Sequence, residues 1–245
     1  MLQLDYTRGI IMGNKEVKIY LMRHGQTILN KAGRTQGWCD GVLTKEGLEV
    51  AVNVGLGLRN IEFKNVYSSD LGRARKTAQI VIKENIVSEE LKLQECEGLR
   101  EVYFGKYEGE LDNIVFNKIL SHLNVTSIKE GEEKYDFQKA FCDACAAIDE
   151  TGEAEDYSTV ITRVMNELKQ ICMENSNEGG NILIVAHGGI IRLIIDYLDK
   201  SFNIRDIDNS SISMISYKNE NFKVESVNDN SYSEKGKEIS EKSLV

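Results

Sequence analysis

Val17-Lys18-Ile19-Tyr20-Leu21-Met22-Arg23-His24-Gly25 decides the fold of this chain, because Asn181-Ile182-Leu183-Ile184-Val185-Ala186-His187-Gly188-Gly189 repeats its design. In each, a run of β-branched and apolar residues stops at a histidine followed by glycine. Such a run, bounded by glycine, reads as a strand buried on both faces, the usual case in a parallel sheet. Polar residues just past such strands stand at the carboxyl edge of the sheet, where open α/β sheets bind ligands. Two of the chain's three histidines hold this position. They are expected to face each other across one site.

Composition narrows the functions this site can have. With 245 residues, 41% hydrophobic and 28% charged, the chain has length for a sizeable core and the balance of a soluble globular protein. A net charge of −9 argues against nucleic acid as a partner, since phosphate backbones demand basic patches. It leaves room for a small phosphorylated substrate, which needs only a few local arginines. No apolar run approaches the roughly 18 residues that a membrane span needs, so no membrane partner and a cytoplasmic location are expected. Cys39, Cys96, Cys142, Cys145 and Cys172 are odd in number and lack framework spacing, which points to reduced thiols.

The reading along the chain is α/β: a three-layer sandwich with a mostly parallel central sheet flanked by helices, plus a helical cap insertion. A single domain is expected over 16–228, with the cap at about 109–157. Residues 1–15 read as a loose leader and 229–245 as a flexible, polar tail. Thr44 is placed to cap a helix near 45–59, through Leu48, Val52 and Leu56. A short strand at 65–67 runs into a helix that Ser69 or Asp70 would cap, ending near Ile82. A further strand is expected at 91–94. Within the insertion, Ile114, Ile119 and Leu123, then Phe137, Phe141 and Ala144, recur at helical spacing. A long amphipathic helix, 157–174, returns to the sheet. Ser211–Tyr217 and Phe222–Val227 alternate as an edge hairpin.

The residues at the strand ends suit phosphoryl transfer. A neutral imidazole attacks phosphorus well, and the phosphohistidine formed can pass its group onward. The transition state spreads charge over three oxygens, so catalysis is mostly positioning and electrostatic stabilisation. Arg23 beside His24 offers an always-charged fork. His187 precedes Gly188 and Gly189 at a helix N-terminus, a natural anion site. Arg73 and Arg75, two apart on one helix, cannot share a face, so one of them points inward. Glu101, in a loop with aromatic neighbours, is the best-placed carboxyl to protonate a leaving oxygen.

Other singled-out residues have plainer readings. His122 reads as surface or core, and Cys142 and Cys145, one turn apart without partner pairs, as packing. Arg192 reads as a helix residue bridging to a carboxylate, and Trp38 either borders the pocket or packs its loop. A metal held by the two histidines lacks ligand spacing and would be repelled by the arginines, so no metal and no cofactor are expected.

The ordered motifs R-H-G-Q-T-I-L-N, Q-G-W-C-D, S-S-D-L-G-R-A-R-K-T-A, L-R-E-V-Y-F-G-K-Y-E-G and A-H-G-G-I-I-R resemble those of the histidine phosphatase superfamily, also called phosphoglycerate-mutase-like. The resemblance covers roughly residues 16 to 217. It implies His24 as the phosphorylated nucleophile, Arg23, Arg73 and His187 as the phosphate pocket, and Glu101 as the proton donor. It selects Arg73 over Arg75. It implies that Asn30 contacts the phosphoryl group and that Gln36 and Gly37 border the substrate. Glu155 and Tyr157 fit a G-E-S-aromatic pattern only in part, and Tyr107 stands where relatives often carry Trp.

The family contains hydrolases and mutases. F-G-K-Y-E-G after Glu101 and G-G-I-I-R after His187 look like the phosphatase branch. The segment 109–157 has no arginine and only Lys118, Lys129, Lys134 and Lys139, whereas a mutase cap supplies basic residues for a second anion. The expected activity is a metal-independent, histidine acid-type phosphoric monoester hydrolase acting on a small phosphorylated metabolite. The alternatives are a cofactor-dependent phosphoglycerate mutase or an inactive phosphate-binding relative. Nothing in the sequence bears on oligomeric state.

Overall fold

Each apolar run of the sequence forms a strand, and each periodic stretch a helix. The computed structural model describes residues 3–5, 10–12, 14–88, 90–202 and 204–243. In order, these form β1 (Gln3–Asp5), β2 (Ile10–Met12), β3 (Val17–Arg23), α1 (Ile28–Lys31), α2 (Lys45–Leu58), β4 (Phe63–Ser69), α3 (Gly72–Glu84) and β5 (Leu93–Cys96). Three helices follow: α4 (Asp112–His122), α5 (Ile128–Lys134) and α6 (Phe137–Ile148). The chain then returns through α7 (Tyr157–Asn175), β6 (Gly180–Ala186) and α8 (Gly188–Leu198), and ends with β7 (Ile212–Lys218), β8 (Asn221–Asp229) and α9 (Ser231–Lys242).

The main sheet has the order β5-β4-β6-β3-β7-β8. Strands β5, β4, β6 and β3 run parallel, and β7 and β8 add an antiparallel edge. Alternation along the central strands divides the core, because successive side chains point to opposite faces. Ile19, Leu21, Ile182, Ile184 and Ala186 pack with Val160, Val164, Leu168, Ile190 and Ile194 of α7 and α8. Tyr20, Met22, Leu183 and Val185 pack with Val54, Leu58, Ala74 and Ala78 of α2 and α3. That gives three layers. The α4–α6 segment has its own small core of Tyr107, Val115, Ile119, Phe141, Ala144 and Cys145.

Three expectations change. Helix α3 begins at Gly72 without a side-chain cap of its own. Ser69 is still strand and Asp70 is drawn off to Arg100, at 2.8 Å. Asp40, from a distant loop, accepts the Arg73 N–H at 3.3 Å instead. The tail expected to be flexible forms α9, which lies against α2: Tyr232 meets the Tyr20 ring at 6.1 Å, and Gly236 comes within contact of Asn53. Its polar composition conceals a narrow contact face of small residues and one tyrosine. Of the leader, 3–5 and 10–12 pair as a separate antiparallel ribbon, and the rest of 1–13 lies outside the described residues. Among the described residues, no helix is long and apolar enough to cross a membrane.

Candidate active site

Parallel pairing of β3 with β6 sets Arg23 opposite Ala186, so the next residues, His24 and His187, emerge side by side. Their ring centroids are 5.2 Å apart, and both side chains are buried. Between them lies Arg73, from the start of α3. Its Nε donates to His187 Nδ1 at 3.1 Å and faces His24 Nε2 at 3.3 Å. The residue is 1% exposed, and its guanidinium is anchored to Gly37 O at 2.6 Å, Cys39 O at 2.9 Å and Asp40 Oδ1 at 3.0 Å. Arg75 points outward to Glu95.

The hydrogen bonds assign the tautomers. His24 Nδ1 lies 2.8 Å from Gly25 O and therefore donates to it, leaving the Nε2 lone pair. His187 accepts at Nδ1, so its hydrogen is on Nε2, which is buried with no hydrogen-bond partner. Arg23 Nε is likewise buried without a partner, while its Nη1 donates to Ile207 O. Unpartnered buried donors are costly, and at one edge they describe a place for an acceptor-rich anion. Burial, then the positive charges of Arg73 and Arg23, holds the His24 imidazole well below the usual histidine range; burial and Arg73 do the same to His187. Both rings are neutral at mildly acidic pH.

Glu101 occupies the helix terminus that the sequence suggested for an external anion. Its Oε2 accepts from Gly189 N at 2.8 Å and its Oε1 from Ile190 N at 2.9 Å and Val102 N at 3.0 Å. The two glycines permit this crowding. A Cβ at Gly189 would sit 2.5 Å from Glu101 Oε1, and one at Gly188 would sit 3.0 Å from Arg23 Nε. Gly188 thus makes room for the Arg23 side chain, and Gly189 rather than Gly188 lines the cavity.

That cavity, about 170 Å³, opens beside His24 and is lined by Arg23, Asn30, Gln36 and Glu101, with Arg34, Thr35 and Arg192 further out. Phe104, Val115, Phe116 and Phe141 close its apolar side, so the cap supplies much of one wall. Asn30 forms a capping box with Thr27, its Oδ1 accepting the Thr27 N–H at 3.1 Å. Oriented to satisfy both ends, the Gln36 amide donates to Thr27 Oγ1 at 2.6 Å and accepts from Arg73 at 3.0 Å. Gly37 holds Arg73 through its carbonyl and does not line the cavity.

Several supports escaped sequence reasoning. Glu108 gathers the backbone N–H groups of Gly37, Trp38, Cys39 and Phe104 at 2.8–3.1 Å, tying the 36–39 loop to the Glu101 loop. Arg163 donates to Gly98 O, Arg100 O and Glu101 O and pairs with Glu155 at 2.7 Å. Asn209 Nδ2 donates to His24 O at 3.1 Å. Glu108 and Glu155 stood inside quoted motifs, but nothing local announced their partners. Trp38 packs its loop: it stacks on Tyr103 at 4.8 Å and donates to Glu101 O. Among the described residues Arg192 bridges no carboxylate through a hydrogen bond and instead donates to Arg205 O. His122 is exposed at the end of α4, and Cys142 and Cys145 are buried in the cap core. No group of three or more His, Cys, Asp or Glu is placed to hold a metal ion among the described residues.

The sequence matches the profile of the histidine phosphatase superfamily (branch 1) over residues 19–230. Among solved structures, a phosphoglycerate mutase from Bacillus anthracis is 40% identical, with a TM-score of 0.87, covering 92% of this chain and 98% of that one. A metal-independent phosphoserine phosphatase of Arabidopsis thaliana is 26% identical over 94% of this chain and 89% of its own length. A broad-specificity phosphatase of Saccharomyces cerevisiae is 30% identical over 76% of this chain and 71% of its own.

Proposed function

The chain belongs to the histidine phosphatase superfamily, and from that premise we propose that it is a metal-independent, acid-type phosphomonoesterase working through a phosphohistidine on His24. One observation carries the reading: a neutral imidazole whose Nε2 lone pair faces only the Arg73 Nε–H, at 3.3 Å, flanked by buried unpartnered donors of Arg23 and His187. His24 Nε2 attacks phosphorus as the bond to the ester oxygen breaks, and Glu101 delivers a proton to that oxygen. Arg23, Arg73 and His187 Nε2–H take the three phosphoryl oxygens. Arg73 exchanges its hydrogen bonds with the imidazoles for bonds to the phosphoryl group. Water then attacks the phosphohistidine, Glu101 accepts its proton, and inorganic phosphate leaves. Asn30, Gln36 and the Gly37 carbonyl, through Arg73, hold the phosphoryl side of the pocket.

The substrate is a small phosphorylated metabolite; phosphoserine and phosphoglycerate, named for relatives, head the panel to screen. Incubation with p-nitrophenyl phosphate in the absence of added metal tests the reading. Turnover that disappears in His24→Ala supports it, and turnover that persists there overturns it. A mutase reading has one structural point in its favour: Arg34 and Arg192 line the cavity and can hold a second anionic group. Supplying 3-phosphoglycerate with its bisphosphate primer separates the two. Isomerisation faster than phosphate release would make the mutase the main activity.

A further inference from the structure

A second cavity, also about 170 Å³, lies under α5 and α6. Phe116, Phe137, Phe141 and Ile128 form its apolar side, and six polar or charged residues, Glu132, Arg192, Arg205 and Asp206 among them, form the rest. The Phe141 ring lies 5.0 Å from Phe116 and 6.1 Å from Phe137, tilted by 50° and 57°. Phe116, Phe141 and Arg192 line both this cavity and the one beside His24, so the two adjoin across side chains of α4, α6 and α8. An apolar cavity of roughly 150 Å³ holds a benzene ring, and the three phenylalanines and Ile128 offer one face of such a site. Ligand sites start at about 300 Å³, a size that neither cavity reaches alone and the two reach together.

We infer that the second cavity is a subsite for a ring carried on the organic half of the phosphomonoester, which makes ring-bearing alkyl phosphates the favoured substrate class. The inference rests on the phosphatase reading of the first cavity. With the phosphoryl group among Arg23, Arg73 and His187, a linker of a few atoms passes the shared wall, and the ring lies against Phe116, Phe137 and Phe141. Arg192, whose buried Nε has no hydrogen-bond partner, meets the ring face or a linker oxygen where the two cavities join.

Phenylalkyl and n-alkyl phosphates of equal linker length test this, since their leaving oxygens are chemically alike. In the wild-type protein, 3-phenylpropyl phosphate should show kcat/KM at least about tenfold above n-propyl phosphate, the effect of burying one ring-sized apolar group. Ile128→Trp, made at a half-exposed rim position, fills the subsite, and Phe137→Ala removes its wall. Each should abolish the advantage while leaving n-propyl phosphate hydrolysis unchanged. Equal kcat/KM for the two esters in the wild-type protein, or an advantage that survives both substitutions, overturns the subsite. Hydrolysis of neither ester, nor of p-nitrophenyl phosphate, overturns the phosphatase reading and the subsite with it.

Discussion

Glu101→Gln separates the proposed proton-donor role from everything else this side chain does. The carboxylate accepts three backbone N–H groups, two from the start of α8 and one from Val102. A glutamine keeps one oxygen and turns an NH2 towards a donor, losing a charge-assisted bond worth about 1.5–3 kcal/mol. That structural loss falls equally on every substrate. Removal of general acid catalysis does not, because it costs about 10²–10⁴ where the leaving oxygen must be protonated. p-Nitrophenolate departs without a proton, whereas the alkoxide of phosphoserine does not. The assay is kcat/KM for both substrates at one pH, by nitrophenolate absorbance and by phosphate release, with a thermal melt to confirm folding. The loss on phosphoserine should exceed the loss on p-nitrophenyl phosphate by about 100-fold. Equal losses would refute the reasoning and reduce Glu101 to a clamp on α8.

Burial and the neighbouring arginines hold His24 and His187 well below the usual histidine range, so a pH profile of kcat/KM should show no fall near pH 6.5, its acid limb lying well below. Arg73→Met removes one of the charges responsible, and NMR titration should then find the His24 pKa raised. The same depression makes the unfolded chain bind more protons than the folded one below about pH 6.5. Stability is therefore full above that pH and declines beneath it, by at most about 2.7 kcal/mol per pH unit for two protons, as denaturant melts at stepped pH would measure. Arg163→Met removes the donors to Gly98, Arg100 and Glu101 carbonyls; kcat should drop about tenfold with KM little changed, and Arg163→Lys should recover part of it. Gly236→Val drives a side chain into Asn53 O, which even a Cβ would approach to 1.6 Å. It should lower stability by about 1–3 kcal/mol in a thermal melt and leave kcat unaltered, since α9 contributes nothing to the cavity lining.

What could be read from sequence was whatever leaves a local periodic mark. The two strand-ending histidines indicated both the parallel pairing and their own meeting at one sheet edge, because a one-to-one register between β3 and β6 carries His24 to His187 without further information. Thr44 announced α2 for the same reason: its side chain accepts from Gly47 N at 2.9 Å, three residues on. Long-range satisfaction left no such mark. Asp40 serves the start of α3 from 33 residues away, and Glu108 serves four N–H groups in two loops. Helix α9 was missed because its contact surface is made by Tyr232 and the absence of a side chain at Gly236, which periodicity of apolar residues cannot register.

The helix terminus after His187 shows where local reading and the fold diverge. Sequence correctly places two glycines at a terminus rich in unpaired N–H groups, and an anion does bind there, but it is the protein's own Glu101. The consequence for chemistry is favourable. Had the phosphoryl group taken those donors, the acid would need another anchor to stay at the cavity. On the proposed mechanism, side-chain cations and the His187 Nε2–H are left for the phosphoryl oxygens, and the backbone of α8 fixes the proposed proton donor. A Cβ at residue 189 would meet the carboxylate at 2.5 Å. The second glycine therefore bears on where Glu101 sits, and the first, through its contact with Arg23, on where that guanidinium sits.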